Sequence, residues 1–134
     1  MTKTQNNTQA KKTRSPHQPT GCWIRPEKRL AIYLRDRFTC LYCLRDLHDA
    51  APTDITLDHL SCKCDGGNNE ADNLVTACRP CNCSRQDKPL NHFAGPETRK
   101  HIRRNTARKL APYVRLAKAL ISGEAGLEET LKKI

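Results

Sequence analysis

Apolar residues along this chain fall into short groups separated by polar turns. Residues 1–21 are polar and interrupted by Pro16, Pro19 and Gly21, a pattern that predicts disorder. Pro26-Glu27 opens a helix, because proline suits the first helical turn and an acid suits the positive helix end. Leu30, Tyr33, Leu34 and Phe38 form its apolar face. Ile55-Thr-Leu-Asp-His59 reads as a short strand, and Asp65-Gly66-Gly67 as the turn of a hairpin. Asn69 to Ala77 reads as a short helix with Leu74 and Val75 inward. Pro80 at a first helical position predicts another helix through about Phe93. From Pro96 to about Ser122 the period is helical, with Leu110, Val114, Ala117 and Ile121 at i, i+4, i+7 and i+11 on one face. Pro112 kinks or interrupts that segment.

Composition says what must hold these elements together. The 134 residues suffice for one domain. Leu, Ile, Val and Phe make up about 18 % of the chain, just under the roughly 20 % below which charged chains tend to be disordered. A hydrophobic core alone is thin here, and the eight cysteines are the obvious reinforcement. No apolar run is long enough for a transmembrane helix, and the start of the chain lacks a secretory apolar run. A cytoplasmic protein is therefore expected, with reduced thiols, so paired cysteines suggest metal before disulfide.

The net charge of +10 is unevenly spread. Residues 1–30 carry net +6, residues 31–90 net −2 and residues 91–134 net +6. Two basic arms thus flank a nearly neutral middle. Arg99, Lys100, Arg103, Arg104 and Arg108 crowd the second arm. Such an excess suggests a polyanionic partner.

Cys40-Leu-Tyr-Cys43 and Cys78-Arg-Pro-Cys81 are two C-x-x-C pairs separated by 34 residues. Each turn points two sulfurs into one space, and two turns complete a tetrahedron around zinc. The competing readings are four free thiols or disulfides; the spacing favours a closed structural Zn²⁺ site. Cys22, Cys62, Cys64 and Cys83 read as small, partly buried thiols.

Around these pairs lie Leu57-Asp58-His59, Asp72-Asn73-Leu74 and Cys81-Asn82. His59 is the member of the set that titrates near neutrality and can take a proton from water. Asp58 and Asn82 offer hard oxygen donors that suit Mg²⁺. As neighbours in a strand, Asp58 and His59 face opposite ways and need a twist or bulge to address one site.

In the order FTCLYC, ITLDHL, DGGNNEADNLVTACRPCNCSRQDKP, residues 38–89 resemble the HNH endonuclease family. The resemblance implies a small zinc-stapled ββα-metal core; with the flanking helices and disordered basic tail read from the residue pattern, an α+β fold is expected. It implies His59 as general base, Asn73 as the residue that fixes the loop carrying it, and Asp58 and Asn82 as ligands of a catalytic Mg²⁺ or Mn²⁺. Arg85, one helical turn after Asn82, and Lys88 are expected to reach the phosphate. The expected layout is a tail over 1–21, a leading helix over 22–38, the nuclease core over 39–93, a basic amphipathic segment over 94–123 and a short end over 124–134. DNA is the expected partner and phosphodiester hydrolysis the expected reaction, with no membrane association. The rival is a zinc-stabilised DNA-binding module without catalysis.

Overall fold

The computed structural model describes residues 24–62 and 66–134. The tail over 1–21, Cys22, Cys64 and Asp65 of the expected turn lie outside them. The described residues form helices around a two-stranded antiparallel sheet, the α+β arrangement expected. None of these helices is long and apolar enough to cross a membrane.

Helix α1 (Pro26–Arg35) starts as its sequence dictates, with proline at its N-terminus and Glu27 in the first turn. The chain then turns sharply through Arg37 and Phe38, both left-handed at φ 57° and 52°. That turn folds Phe38 back so that its N–H donates to the Tyr33 carbonyl at 2.7 Å and its ring lies 5.9 Å from the Tyr33 ring.

Strand β1 (Ile55–His59) pairs with β2 (Leu74–Cys78) in the register Ile55 to Cys78 and His59 to Leu74. The predicted helix over Asn69–Ala77 is therefore corrected: a single 3₁₀ turn over Ala71–Asn73 leads into a strand. All five residues of β2 are buried. Leu74 packs with Ile24 and Ile32, Val75 with Leu41 and Ile102, and Ala77 with Cys40 and Leu47. A strand covered on both faces has no polar-apolar alternation, which is why its period was not visible. Its second edge is also occupied. The Thr76 N–H donates to Asp36 Oδ2 at 2.9 Å, and the Thr76 carbonyl accepts from Leu41 N–H at 3.0 Å.

Helix α2 (Arg79–Arg85) follows β2 directly, with Pro80 in its first turn. It ends earlier than the sequence suggests, because Gln86 adopts φ 52° and Pro89 cannot continue a helix. Leu90–Phe93 forms a separate short helix, α3. The long C-terminal segment splits as Pro112 requires, into α4 (Pro96–Thr106) and α5 (Ala111–Ser122), followed by α6 (Leu127–Leu131). Ala117 packs with Ala31, Tyr33, Leu34 and Phe38, flanked by Leu110, Val114 and Leu120. Ile121, expected on the same face, is 55 % exposed.

An ion pair inside this core ties α1 to β2. Arg35 and Asp36 side chains are fully buried; Arg35 Nε and one terminal nitrogen reach the two Asp36 oxygens at 2.8 and 3.1 Å. The same guanidinium donates to the Ala71 and Leu74 carbonyls at 2.8 and 2.7 Å. Removing one partner of a buried pair strands the other charge. We therefore expect Arg35→Met to lower the unfolding free energy by about 3–5 kcal/mol, measured by urea denaturation.

Candidate functional site

The four expected cysteines converge. Cys40 and Cys43 sit in the turn after α1, where Thr39 and Asp46 form a single antiparallel bridge. Cys78 ends β2, and Cys81 lies in the first turns of α2. All four are free thiols, which sets aside the disulfide alternative for them. Their ligand atoms lie within 4.8 Å of one another, and Cys43 Sγ is 3.8 Å from Cys78 Sγ. A regular tetrahedron with metal–sulfur bonds of about 2.3 Å has edges of about 3.8 Å. The set can hold zinc without rearrangement of the backbone.

The electrostatics agree with that use. Burial pushes the Cys40 thiol up, but backbone N–H groups of Cys78, Cys43 and Tyr42 outweigh it and hold Cys40 below its ordinary value. Burial, followed by neighbouring sulfurs, pushes Cys43 and Cys81 up. Crowded thiols that resist ionising together are those a bound dication deprotonates. Of the remaining cysteines, Cys83 is free as expected, but exposed rather than partly buried. Cys62 departs from that expectation: it is disulfide-bonded.

The second constellation is built on β1, the loop after it, and α2. Asp58 is 7 % exposed. Its Oδ2 accepts from Arg85 at 2.7 Å and from the Tyr42 hydroxyl in a short hydrogen bond. Both partners use the same oxygen, so Oδ1 is the one suited to face a cation. Asn82 donates its amide nitrogen to Thr56 Oγ1 at 2.9 Å and to the Leu57 carbonyl at 3.3 Å. With the nitrogen turned into β1, the amide oxygen points the other way, as a hard-metal ligand must. Asp58 and Asn82 each offer an oxygen of the chemical kind that Mg²⁺ or Mn²⁺ prefers.

His59 ends β1, and its Nε2 is bonded to Asn69 Oδ1 at 2.8 Å. Asn73 does not touch the ring. Its side-chain oxygen accepts from Ser61 N–H at 2.8 Å, and its nitrogen donates to the Ser61 and Asn68 carbonyls at 3.1 and 2.7 Å. It thus closes the loop that follows His59. The tight turn of that loop demands its glycines. Gly66 has φ +85°, and a Cβ on Gly67 would sit 1.8 Å from the Ser61 carbonyl oxygen. A polar hollow of about 350 Å³ opens here, lined by Ser61, Gly66, Gly67, Asn68, Asp72 and Asn73.

Arg85 is where structure and sequence part. The sequence points it at a phosphate; the structure turns it inward, 2 % exposed. Besides Asp58 it donates to the Tyr42 oxygen at 3.1 Å and to the carbonyls of His59, Leu60 and Lys88 at 2.8, 2.6 and 3.1 Å. Burial works against its charge, but the Asp58 hydrogen bond and its neighbours outweigh this and raise its pKa. Burial, aided by the Asp58 carboxylate, pushes the Tyr42 phenol far above its ordinary value, so it remains a donor. The pair locks the strand bearing Asp58 and His59 onto α2 and the cysteine turn. Lys88 stays on the surface, its Nζ on the Ser84 carbonyl at 3.0 Å and 6.0 Å from the Phe93 ring centre.

The basic arm splits in the same way. Arg99 is half-buried and donates to the Ala94 carbonyl at 2.7 Å, whereas Lys100, Arg103, Arg104 and Arg108 are exposed. Lys100, Arg103 and Arg104 lie on α4, which packs on Leu41 and Val75 through Ile102. Sequence reasoning missed Tyr42, Thr56 and Asn69. Tyr42 lies inside the first C-x-x-C, and Asn69 follows the Gly-Gly turn, but neither position reveals which side chain it meets.

Residues 40–88 match the family model described as HNH endonuclease. No curated protein and no solved structure matches the chain. The matched span runs from the first cysteine of the cluster through Asp58, His59, Asn73, Cys81, Asn82 and Arg85.

We expect elemental analysis of the folded protein to give one zinc per chain, and Cys78→Ser or a strong chelator to abolish cooperative thermal unfolding. Folded protein without zinc would remove the clamp.

Proposed function

We infer, from an HNH endonuclease domain at residues 40–88, that this chain is a divalent-metal-dependent endonuclease hydrolysing DNA phosphodiester bonds. The observation that supports this best is that Asn82 on α2 turns its amide nitrogen into β1, the strand that carries Asp58 and His59. His59 acts as general base, taking the proton of the attacking water on its imidazole. Asp58 and Asn82 are the residues that would hold Mg²⁺ or Mn²⁺. When bound, that cation neutralises the charge developing on the leaving 3′ oxygen. The products are 5′-phosphate and 3′-hydroxyl ends. Asn73 positions the loop after His59, and Arg85 positions Asp58 rather than gripping the phosphate. Lys88 and the exposed face of α4 supply backbone affinity by releasing counterions. Zinc, with all four positions filled by sulfur, is structural.

A plasmid-nicking assay with Mg²⁺, Mn²⁺ and EDTA tests the reading. We expect cleavage with either ion and none with the chelator, and His59→Ala to abolish cleavage while DNA affinity stays within about twofold. Zinc-loaded wild-type protein that binds plasmid and never nicks it would leave the non-catalytic DNA-binding module standing. The surface assignment has its own check. Changing Lys100, Arg103, Arg104 and Arg108 to Gln should weaken binding and flatten the dependence of log affinity on log salt, by about 0.9 for each phosphate no longer neutralised.

A further inference from the structure

We propose that Tyr42 is the positioning residue of the Asp58 carboxylate, holding Oδ2 so that Oδ1 is the oxygen left for a divalent cation; this role rests on the nuclease reading of the site. The terminal torsion of an aspartate is broad, so one hydrogen bond leaves the carboxylate free to turn. Asp58 Oδ2 instead accepts from two donors, the Tyr42 hydroxyl and Arg85 at 2.7 Å. Among the described residues, no hydrogen bond reaches Oδ1. The same Arg85 nitrogen also donates to the Tyr42 oxygen at 3.1 Å. That oxygen is thereby an acceptor toward Arg85, and its single O–H is directed at Asp58. The three groups close a triangle in which each hydrogen bond polarises the next.

Tyr42 can hold the carboxylate because its own place is fixed. It lies in the C-x-x-C turn, where Leu44 N–H donates to the Cys40 carbonyl at 2.8 Å and Cys40 N–H to the Arg45 carbonyl at 2.9 Å. Leu41, immediately before it, donates to the Thr76 carbonyl of β2 at 3.0 Å. Its ring meets the Phe93 ring of α3 edge-on, with centroids 5.1 Å apart and planes at 86°. One phenol thus connects the cysteine turn to the carboxylate: the turn sets the ring, and the ring sets the hydroxyl. Arg85 does not replace it. The nitrogen that reaches Asp58 also serves the Tyr42 oxygen and the His59 carbonyl, so its hold on the carboxylate is shared. Tyr42→Phe would keep the ring against Phe93 and leave Arg85 paired with Asp58, so it strands no buried charge.

The test uses the full zinc-loaded chain, without DNA, and Mn²⁺ as the probe. Unbound Mn²⁺ counted by its EPR signal gives the affinity, and Asp58→Ala identifies the site by loss of binding. We expect Tyr42→Phe to weaken Mn²⁺ binding about ten- to a hundredfold with zinc content unchanged. Phe93→Leu, which loosens the ring and keeps the hydroxyl, should weaken it less, in the same direction. In the nicking assay Tyr42→Phe should lower kcat at limiting Mn²⁺, leave KM for DNA within about twofold, and recover when Mn²⁺ is raised by the factor lost in affinity. A purely structural role would lower zinc content and would not respond to added Mn²⁺; that outcome overturns the assignment. So does unchanged Mn²⁺ affinity in Tyr42→Phe, or a wild type with no Mn²⁺ site at Asp58. Wild type that binds Mn²⁺ at Asp58 and never cleaves removes the nuclease reading, and the affinity shift still decides the role of Tyr42.

Discussion

Four sulfurs drawn from two distant turns set the terms for the rest of this molecule. Cys40 and Cys43 bring the turn after α1 against the end of β2, and Cys78 and Cys81 fix the junction of β2 with α2. The residues of the candidate site are their immediate neighbours. Tyr42 lies between two of the cysteines, Asn82 follows a third, and Arg85 stands one helical turn beyond. A cation that closes the cluster consequently fixes the site as well. Such closure matters because the apolar residues around the cysteines, Cys40, Leu47, Ala77 and Cys78, form only a small cluster of their own.

Charge is handled differently on the inside and the outside. Arg35 and Arg85 are both buried, and each uses its planar fork to join a carboxylate to several backbone carbonyls. A guanidinium suits this work because its donors spread over a fixed plane, whereas an ammonium would satisfy fewer acceptors. Among the described residues, the exposed cations of α4 have no such partners. The same residue type therefore has two roles, and burial decides which.

Much of this was legible in the chain. Cysteine spacing foretold the cluster, because sulfur geometry at a C-x-x-C turn is local and the metal's demand for four ligands is strict. Pro26, Pro80, Pro96 and Pro112 all lie in the first turns of helices, since a fixed φ and a missing N–H are local facts. Strand β2 was not legible: its burial on both faces is a property of the assembled fold, and Leu74-Val75-Thr76-Ala77-Cys78 lacks any period of its own. The end of α2 at Gln86 was hidden for a related reason, since a left-handed residue other than glycine leaves no mark in sequence. Arg85 was misjudged because spacing gives its distance along the helix from Asn82 but not the direction its side chain takes. Asp58 and Tyr42, which determine that direction, come from elsewhere in the chain.

The occupied second edge of β2 has a further consequence. A two-stranded sheet ordinarily leaves an open row of backbone groups on which a foreign segment can lengthen it. Here Asp36 and Leu41 take up the donor and acceptor of Thr76, so β2 has little left to offer an incoming chain at its centre. Strand recruitment, whether by a partner protein or in amyloid-like growth, is barred at that point of β2.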